Sequence, residues 1–264
     1  MELPGFLGNA LLAGSCIALA SGLIGWFVVL RGQVFAGDAL SHVAFTGALA
    51  AAAAGLDLRV GLFLATILVA LLLALLGGRA LADDVTIGVV FVWVLGLGVL
   101  FLSLLNSGAG GSSGTIAART LFGSLFGLSA GQAQLAALIG VALALAVLTL
   151  GRPLLLASID APLARAQGVP VRALGVVFLA LLGVYAAEAT QAVGALLLLG
   201  LLAAPAGAAH RLTANPYRGL ALAVAIALLC TWAGLALAYW IAAVPPGSAV
   251  ILVAAGVYAL TMLL

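Results

Sequence analysis

The chain has 264 residues, 66% of them hydrophobic and 6% charged, with a net charge of +2 and a mean hydropathy of +1.40. This composition excludes a soluble globular domain and identifies an integral membrane protein. All nine basic residues are arginines. Without a lysine there is no P-loop, so ATP is not hydrolysed by that route, and any ATP-driven motor must be another polypeptide. No basic patch exists for nucleic acid.

A membrane-crossing helix takes about 20 mostly apolar residues. Cutting at charges and Gly/Pro clusters gives roughly nine expected spans, near 6–30, 38–54, 60–76, 86–105, 132–150, 171–187, 192–209, 219–241 and 248–262. The second and seventh are short enough to be broken helices, which leaves eight as the alternative. The first segment, Met-Glu-Leu-Pro-Gly, lacks the basic region of a cleaved signal peptide, so the first helix is expected to stay. Cys16 and Cys230 lie in apolar runs and read as small packed residues rather than a disulfide.

The arginines orient the spans. With the N-terminus outside, the inner loops receive Arg31, Arg79, Arg152, Arg165, Arg172, Arg211 and Arg218, and the outer loops receive Arg59 and Arg119. This positive-inside bias predicts an outer N-terminus and a cytosolic C-terminus.

Two connections carry structure of their own. The outer one, about 106–118, is Gly/Ser-rich and expected to be flexible. It leads into Thr120-Leu121-Phe122-Gly123-Ser124-Leu125-Phe126-Gly127, apolar but interrupted by glycine and expected to lie along the membrane or enter it only in part. The inner one, about 158–168, has helix punctuation at both ends. Asp160 can cap the start, Pro162 fits the first turn, and Gly168 and Pro170 end it. A helix of about two turns follows, with a free loop as the alternative.

Asp38 and His42 are the candidate site. Positions four apart share a helix face, so a carboxylate and an imidazole point the same way from an apolar segment. Both ligate divalent transition metals, and an ionisable group inside a membrane helix suggests a function. The alternative is an intrahelical hydrogen bond. The expected boundary puts Asp38 at the start of its span, which leaves its depth open.

Val28-Val29-Leu30-Arg31 followed by Gly37-Asp38-Ala39-Leu40-Ser41-His42 resembles the signature of the membrane subunit of metal-uptake ABC transporters (ABC-3), which import zinc, manganese or iron(II). The resemblance continues through Asp83-Asp84-Val85-Thr86-Ile87-Gly88, Leu121-Phe122-Gly123, the Asp160–Pro170 segment, Gln191-Ala192-Val193-Gly194 and Ala203-Ala204-Pro205-Ala206-Gly207. It implies an all-α permease, a homodimer with a pore on its two-fold axis, in a bacterial plasma membrane. It further implies a cytosolic ABC ATPase dimer and an extracytoplasmic metal-binding protein. The 158–168 segment would be the coupling helix, with Asp160, Leu163, Arg165 and Gln167 at the ATPase contact. A homodimer would double Asp38 and His42 to four ligands around the axis.

Other polar residues have plainer readings beside the functional ones. Glu188 and Gln191 read as a solvated outer turn, or as a secondary pathway for a cation. His210 reads as a solvated interfacial histidine rather than a ligand. Asp83 and Asp84 read as caps of the fourth span, or as ATPase contacts.

The expectation is therefore one transmembrane permease domain over 1–264, not an enzyme, with no permanent cofactor. Its cargo is a divalent metal, zinc first because imidazole suits it and manganese second because carboxylate suits that ion. The alternatives are an ABC permease for iron chelates or cobalamin, and an ion-coupled secondary transporter with Asp38 or Glu188 as its coupling carboxylate.

Overall fold

The computed structural model describes residues 5–77, 84–107, 113–196, 198–241 and 243–263. Every regular element among them is helical. In chain order they are α1 (Gly5–Leu30), α2 (Val34–Ala53), α3 (Leu58–Leu76), α4 (Asp84–Ser107), α5 (Ser113–Phe122), α6 (Ala130–Ile159), α7 (Ala161–Ala166), α8 (Val171–Ala192), α9 (Leu198–Leu212), α10 (Pro216–Trp240) and α11 (Pro246–Leu263). A single 3-10 turn, Leu125–Gly127, precedes α6. Long apolar runs favour helix because in a bilayer the backbone must satisfy its own hydrogen bonds. Polar caps set several boundaries. Asp57 accepts from the Arg59 amide at 2.7 Å, Ser129 and Gln132 form a capping box, and Asn215 accepts from the amides of Tyr217 and Arg218.

Eight described helices are long and apolar enough to cross a membrane: α1, α2, α3, α4, α6, α8, α10 and α11. The expected seventh span, 192–209, is not one helix. Ala192 closes α8, residues 193–196 are non-helical, and α9 begins only at Leu198. Two of those four residues donate to a distant segment. The Ala195 and Leu196 amides donate to the carbonyls of Thr120 and Leu121 at 3.0 and 3.2 Å, and the Ser124 amide donates to the Ala192 carbonyl at 3.1 Å. Gly123 (φ +71°) and Gly194 (φ +100°) sit face to face there, in a conformation that L side chains rarely adopt. A Cβ on either would run into the other segment's backbone.

α9, with the junction that precedes it, nonetheless links the two ends of the bundle. Its start lies against the end of α5, while at its other end His210 Nε2 donates to the Trp26 carbonyl at 3.0 Å, near the end of α1. The two ends of the bundle follow from such contacts. At one, Asn9 donates to the Leu128 carbonyl at 3.3 Å, Phe6 meets Phe126 edge-on and Arg59 pairs with Glu188. At the other, Arg211 Nε donates to the Thr261 carbonyl at 3.1 Å and His210 stacks on Trp26. Residues 5 and 263 therefore lie at opposite ends.

Other boundaries move as well. The second span starts at Val34 rather than at 38, and the fifth runs from Ala130 to Ile159, through Pro153, rather than 132–150. The expected flexible loop, 106–118, is bracketed by helix: Asn106 and Ser107 end α4, and 113–118 belong to α5. Its residues 108–112 lie outside the described residues, as do Arg79 and Asp83.

Small residues bring the helices together. A Cβ on Gly47 would strike the Gly61 carbonyl oxygen and one on Gly61 would strike that of Gly47, so α2 and α3 touch backbone to backbone. Gly22 faces the Val224 backbone and Gly140 the Cys16 backbone in the same manner. The buried core gathers on α1 and α8, with Ile24, Phe27, Phe178, Leu179, Leu182 and Tyr185 almost wholly enclosed.

Candidate functional site

The added turn at the start of α2 moves Asp38 off the helix end. It lies four residues inside the helix, about 6 Å along the axis, and His42 about 12 Å, so the imidazole approaches the middle of the span. Most of α2 is enclosed. Ala36, Gly37, Ala39, Leu40, Ser41, Val43 and Ala44 are buried, and Gly37 packs on Leu202. Phe35, Asp38, His42 and Phe45, at a three-four-three spacing, keep some exposure and form a single stripe.

This stripe runs beside α4. The His42 ring meets Phe91 edge-on at 5.2 Å, and Phe35 meets the same ring at 5.8 Å. Thr46 Oγ1 donates to the Val94 carbonyl at 3.1 Å, one turn above His42, and pins α2 to α4. Ser41 Oγ donates to the Asp38 main-chain carbonyl at 2.7 Å, which leaves the carboxylate uncommitted by that contact. Among the described residues no third His, Cys, Asp or Glu joins the pair in a metal-binding group. One chain thus offers one carboxylate and one imidazole on an accessible face, a ligand set too small to trap an ion.

Glu188 is not part of a solvated turn. It lies inside α8, is 3% exposed, and its Oε1 accepts from Arg59 Nη2 of α3 at 3.1 Å. Gln191, one turn on, lines a cavity of about 400 Å³ with Asp57, Arg59, Arg119, Thr120 and Gln132. Sequence reasoning missed Arg59 as a partner because 129 residues separate the two. Its only signal was that Arg59 and Glu188 were both assigned to the same end of the molecule.

At the opposite end Asp160 caps α7, accepting from the Leu163 amide at 2.9 Å, and Gly168 (φ +79°) terminates it. The helix covers Ala161–Ala166, shorter than 158–168, because Ser158 and Ile159 complete α6. Ala164 is buried beside Ala157, Val171 and Leu174, while Leu163, Arg165 and Gln167 point away from the bundle. His210 is not a free solvated group. Its ring stacks on Trp26 at 4.8 Å and its Nε2 is hydrogen-bonded. Asp84 occupies the first turn of α4.

A bundle of helices long and apolar enough to cross a membrane, with one half-exposed Asp/His stripe, defines a multi-pass membrane protein. The chain belongs to the ABC 3 transport family, whose sequence model matches residues 4–264. It is the membrane subunit of an ABC transporter and not an enzyme, and ATP hydrolysis belongs to a separate subunit. It is 28% identical over 89% of its length, and 82% of the relative's, to the manganese import system permease protein ScaB of Streptococcus parasanguinis. It is 29% identical over 97% of its length, and 86% of the relative's, to the manganese transport system membrane protein MntC of Halalkalibacterium halodurans. Its fold is similar to PsaBC from Streptococcus pneumoniae in complex with Fab, with a TM-score of 0.82 and 27% identity over 97% of this chain and 90% of that one.

Proposed function

We propose that this permease imports a divalent transition metal, manganese ahead of zinc, and that Asp38 and His42 contact the ion in passage. The observation that carries this is the α2 stripe. A carboxylate and an imidazole stand on the one accessible face of an otherwise enclosed helix, deep in its span. Manganese moves ahead of zinc because the relatives are described as manganese permeases. Carboxylate ligation suits that choice.

The working unit is a homodimer with the two α2 stripes facing each other across the axis. Two carboxylates and two imidazoles then surround the ion, with water completing its coordination. So few protein ligands bind weakly enough to let it go. An extracytoplasmic binding protein delivers the metal to the Glu188 end. A cytosolic ATPase dimer engages α7 through Leu163, Arg165 and Gln167, with Asp160 holding that helix in shape. ATP-driven closure of the ATPases shifts α7 and α8 as a unit and opens the inner side. Glu188 and Gln191 belong to the outer part of the pathway, in a bacterial plasma membrane with the N-terminus outside and the C-terminus in the cytosol.

The test is uptake into proteoliposomes that carry the permease with its ATPase and binding protein. Asp38→Ala together with His42→Ala should reduce manganese accumulation at least about a hundredfold, the order of loss found when metal-handling partners are removed. Unchanged uptake in the double variant would overturn the assignment. The same assay with zinc in place of manganese reads the order of preference.

A further inference from the structure

We propose that Glu188 is a second station for a divalent cation, occupied at rest by the Arg59 guanidinium, which the incoming ion displaces. This rests on the metal-import reading and adds to it a specific exchange.

The Arg59–Glu188 contact is the one ion pair among the described residues, and it joins α3 to α8 at 3.1 Å with side chains 21% and 4% exposed. Burying two charges is costly unless geometry and further hydrogen bonds compensate them. A purely structural arginine–carboxylate clamp achieves that with two parallel contacts. Here Glu188 Oε2 and Arg59 Nε are both buried, and neither finds a hydrogen-bond partner among the described residues. Thr190 Oγ1 and Gln191 Nε2, within the same turn of α8, are also buried and unpartnered among them. The carboxylate is thus half engaged, with one buried oxygen that the contact leaves unmet.

The two partners differ in freedom. Glu188 is fixed in α8, and just over a turn before it Gly183 packs so tightly that a Cβ would lie 3.0 Å from the Thr66 carbonyl oxygen of α3. Arg59 stands in the first turn of α3 on a long side chain, and it lines the cavity of about 400 Å³ that Asp57 and Gln132 also line. The guanidinium has somewhere to go, with a carboxylate there to receive it, whereas the Glu188 carboxylate stays. Replacing one cation by another keeps that carboxylate compensated throughout, so the exchange avoids a bare buried charge.

The ligands on offer set the class of ion. Glu188 supplies carboxylate oxygens and Gln191 an amide oxygen on the same helix face. An all-oxygen set without imidazole or thiolate suits manganese over zinc. The outer station would therefore discriminate before the Asp38–His42 pair is reached.

Manganese binding to the purified chain in nanodiscs, read by electron paramagnetic resonance, tests this. An Asp38→Ala/His42→Ala background keeps the inner pair silent. In it Arg59→Gln should tighten manganese binding about tenfold, within the usual range of coupling between competing ligands. Adding Glu188→Gln should remove the gain. Arg59→Lys keeps a charge opposite Glu188 but loses the guanidinium geometry. It should give a smaller gain, again cancelled by Glu188→Gln, and it decides the matter if Arg59→Gln does not fold. No gain in a monodisperse Arg59 variant, or a gain that survives Glu188→Gln, would overturn the proposal. Because the readout is binding without transport, it is independent of whether Asp38 and His42 carry uptake.

Discussion

Tyr185 donates its hydroxyl to Ser21 Oγ at 2.9 Å, and Ser21 Oγ donates to the Leu201 carbonyl at 2.9 Å, a relay that ties α8, α1 and α9 together in the buried core. Tyr185→Phe removes the outer donor but leaves Ser21 its acceptor, so the loss should be about 1 kcal/mol, one ordinary net hydrogen bond. In detergent this should lower the melting temperature by roughly 2–4 °C while uptake is unchanged. Ser21→Ala should cost more, since it strands the Tyr185 hydroxyl in an apolar core. At this scale Asp38 and His42 were legible in the sequence, because an ionisable pair at helical spacing in an apolar run has few other reasons to exist. The Arg59–Glu188 pair was not, because local pattern carries no trace of a contact across 129 positions. His210 looked solvated for the same reason, since nothing beside it in sequence announces Trp26.

The helix that carries the Asp/His stripe is held by contacts with no room for adjustment. Gly61→Val would push a branched side chain into the Gly47 carbonyl, so α3 must move away from α2. The expected cost is about 3 kcal/mol, the upper range for overpacking, seen as a lowered melting temperature and loss of uptake. Gly151→Ala in α6 is the control, because an added Cβ there meets nothing within 4 Å. It should be neutral or stabilise by up to about 1 kcal/mol through helix propensity. Element identity was largely readable from apolar runs and caps. Asp160 signalled the start of α7, and Gly168 its end. Boundaries were less so. Gly37 and Asp38 looked like a helix start, yet Val34–Gly37 extend α2, and Gly37 packs on Leu202 where a Cβ would not fit. The break at 193–196 could be suspected from a short span, but its pairing with 120–124 is again a distant contact.

Across the whole molecule, a count of crossings depends on how α9 is treated, since it has 15 residues where the other crossings have at least 18. The contacts at its two ends carry the chain from one face to the other. Single cysteines can verify this after Cys16 and Cys230 are replaced. Leu56, 61% exposed at the Glu188 end, and Leu212, 47% exposed at the Thr261 end, are suitable positions. In sealed right-side-out vesicles an impermeant maleimide should label Leu56→Cys directly, and Leu212→Cys only after permeabilisation. Labelling of both from outside would mean that α9 turns back. The arginine distribution had already suggested this arrangement, because charge bias reports the side on which a loop lies even where hydropathy fails to mark the crossing.

The junction between residues 120–124 and 192–196 also bears on how the chain is assembled during synthesis. A segment of 15 residues is too short to partition into lipid as an independent unit. Its upstream end is stitched to a strip of backbone made some seventy residues earlier, as the Ala195–Thr120 bond records. Until α8 is complete, the Thr120 and Leu121 carbonyls and the Ser124 amide lack these partners at the membrane, where unmet backbone groups are costly. Integration of this region is therefore expected to be cooperative, with α9 settling only once α5 and α8 are both in place. Gly194→Val, which places a side chain against the Leu121 and Phe122 backbone, should accordingly lower the yield of correctly inserted protein, read by protease protection of the membrane fraction.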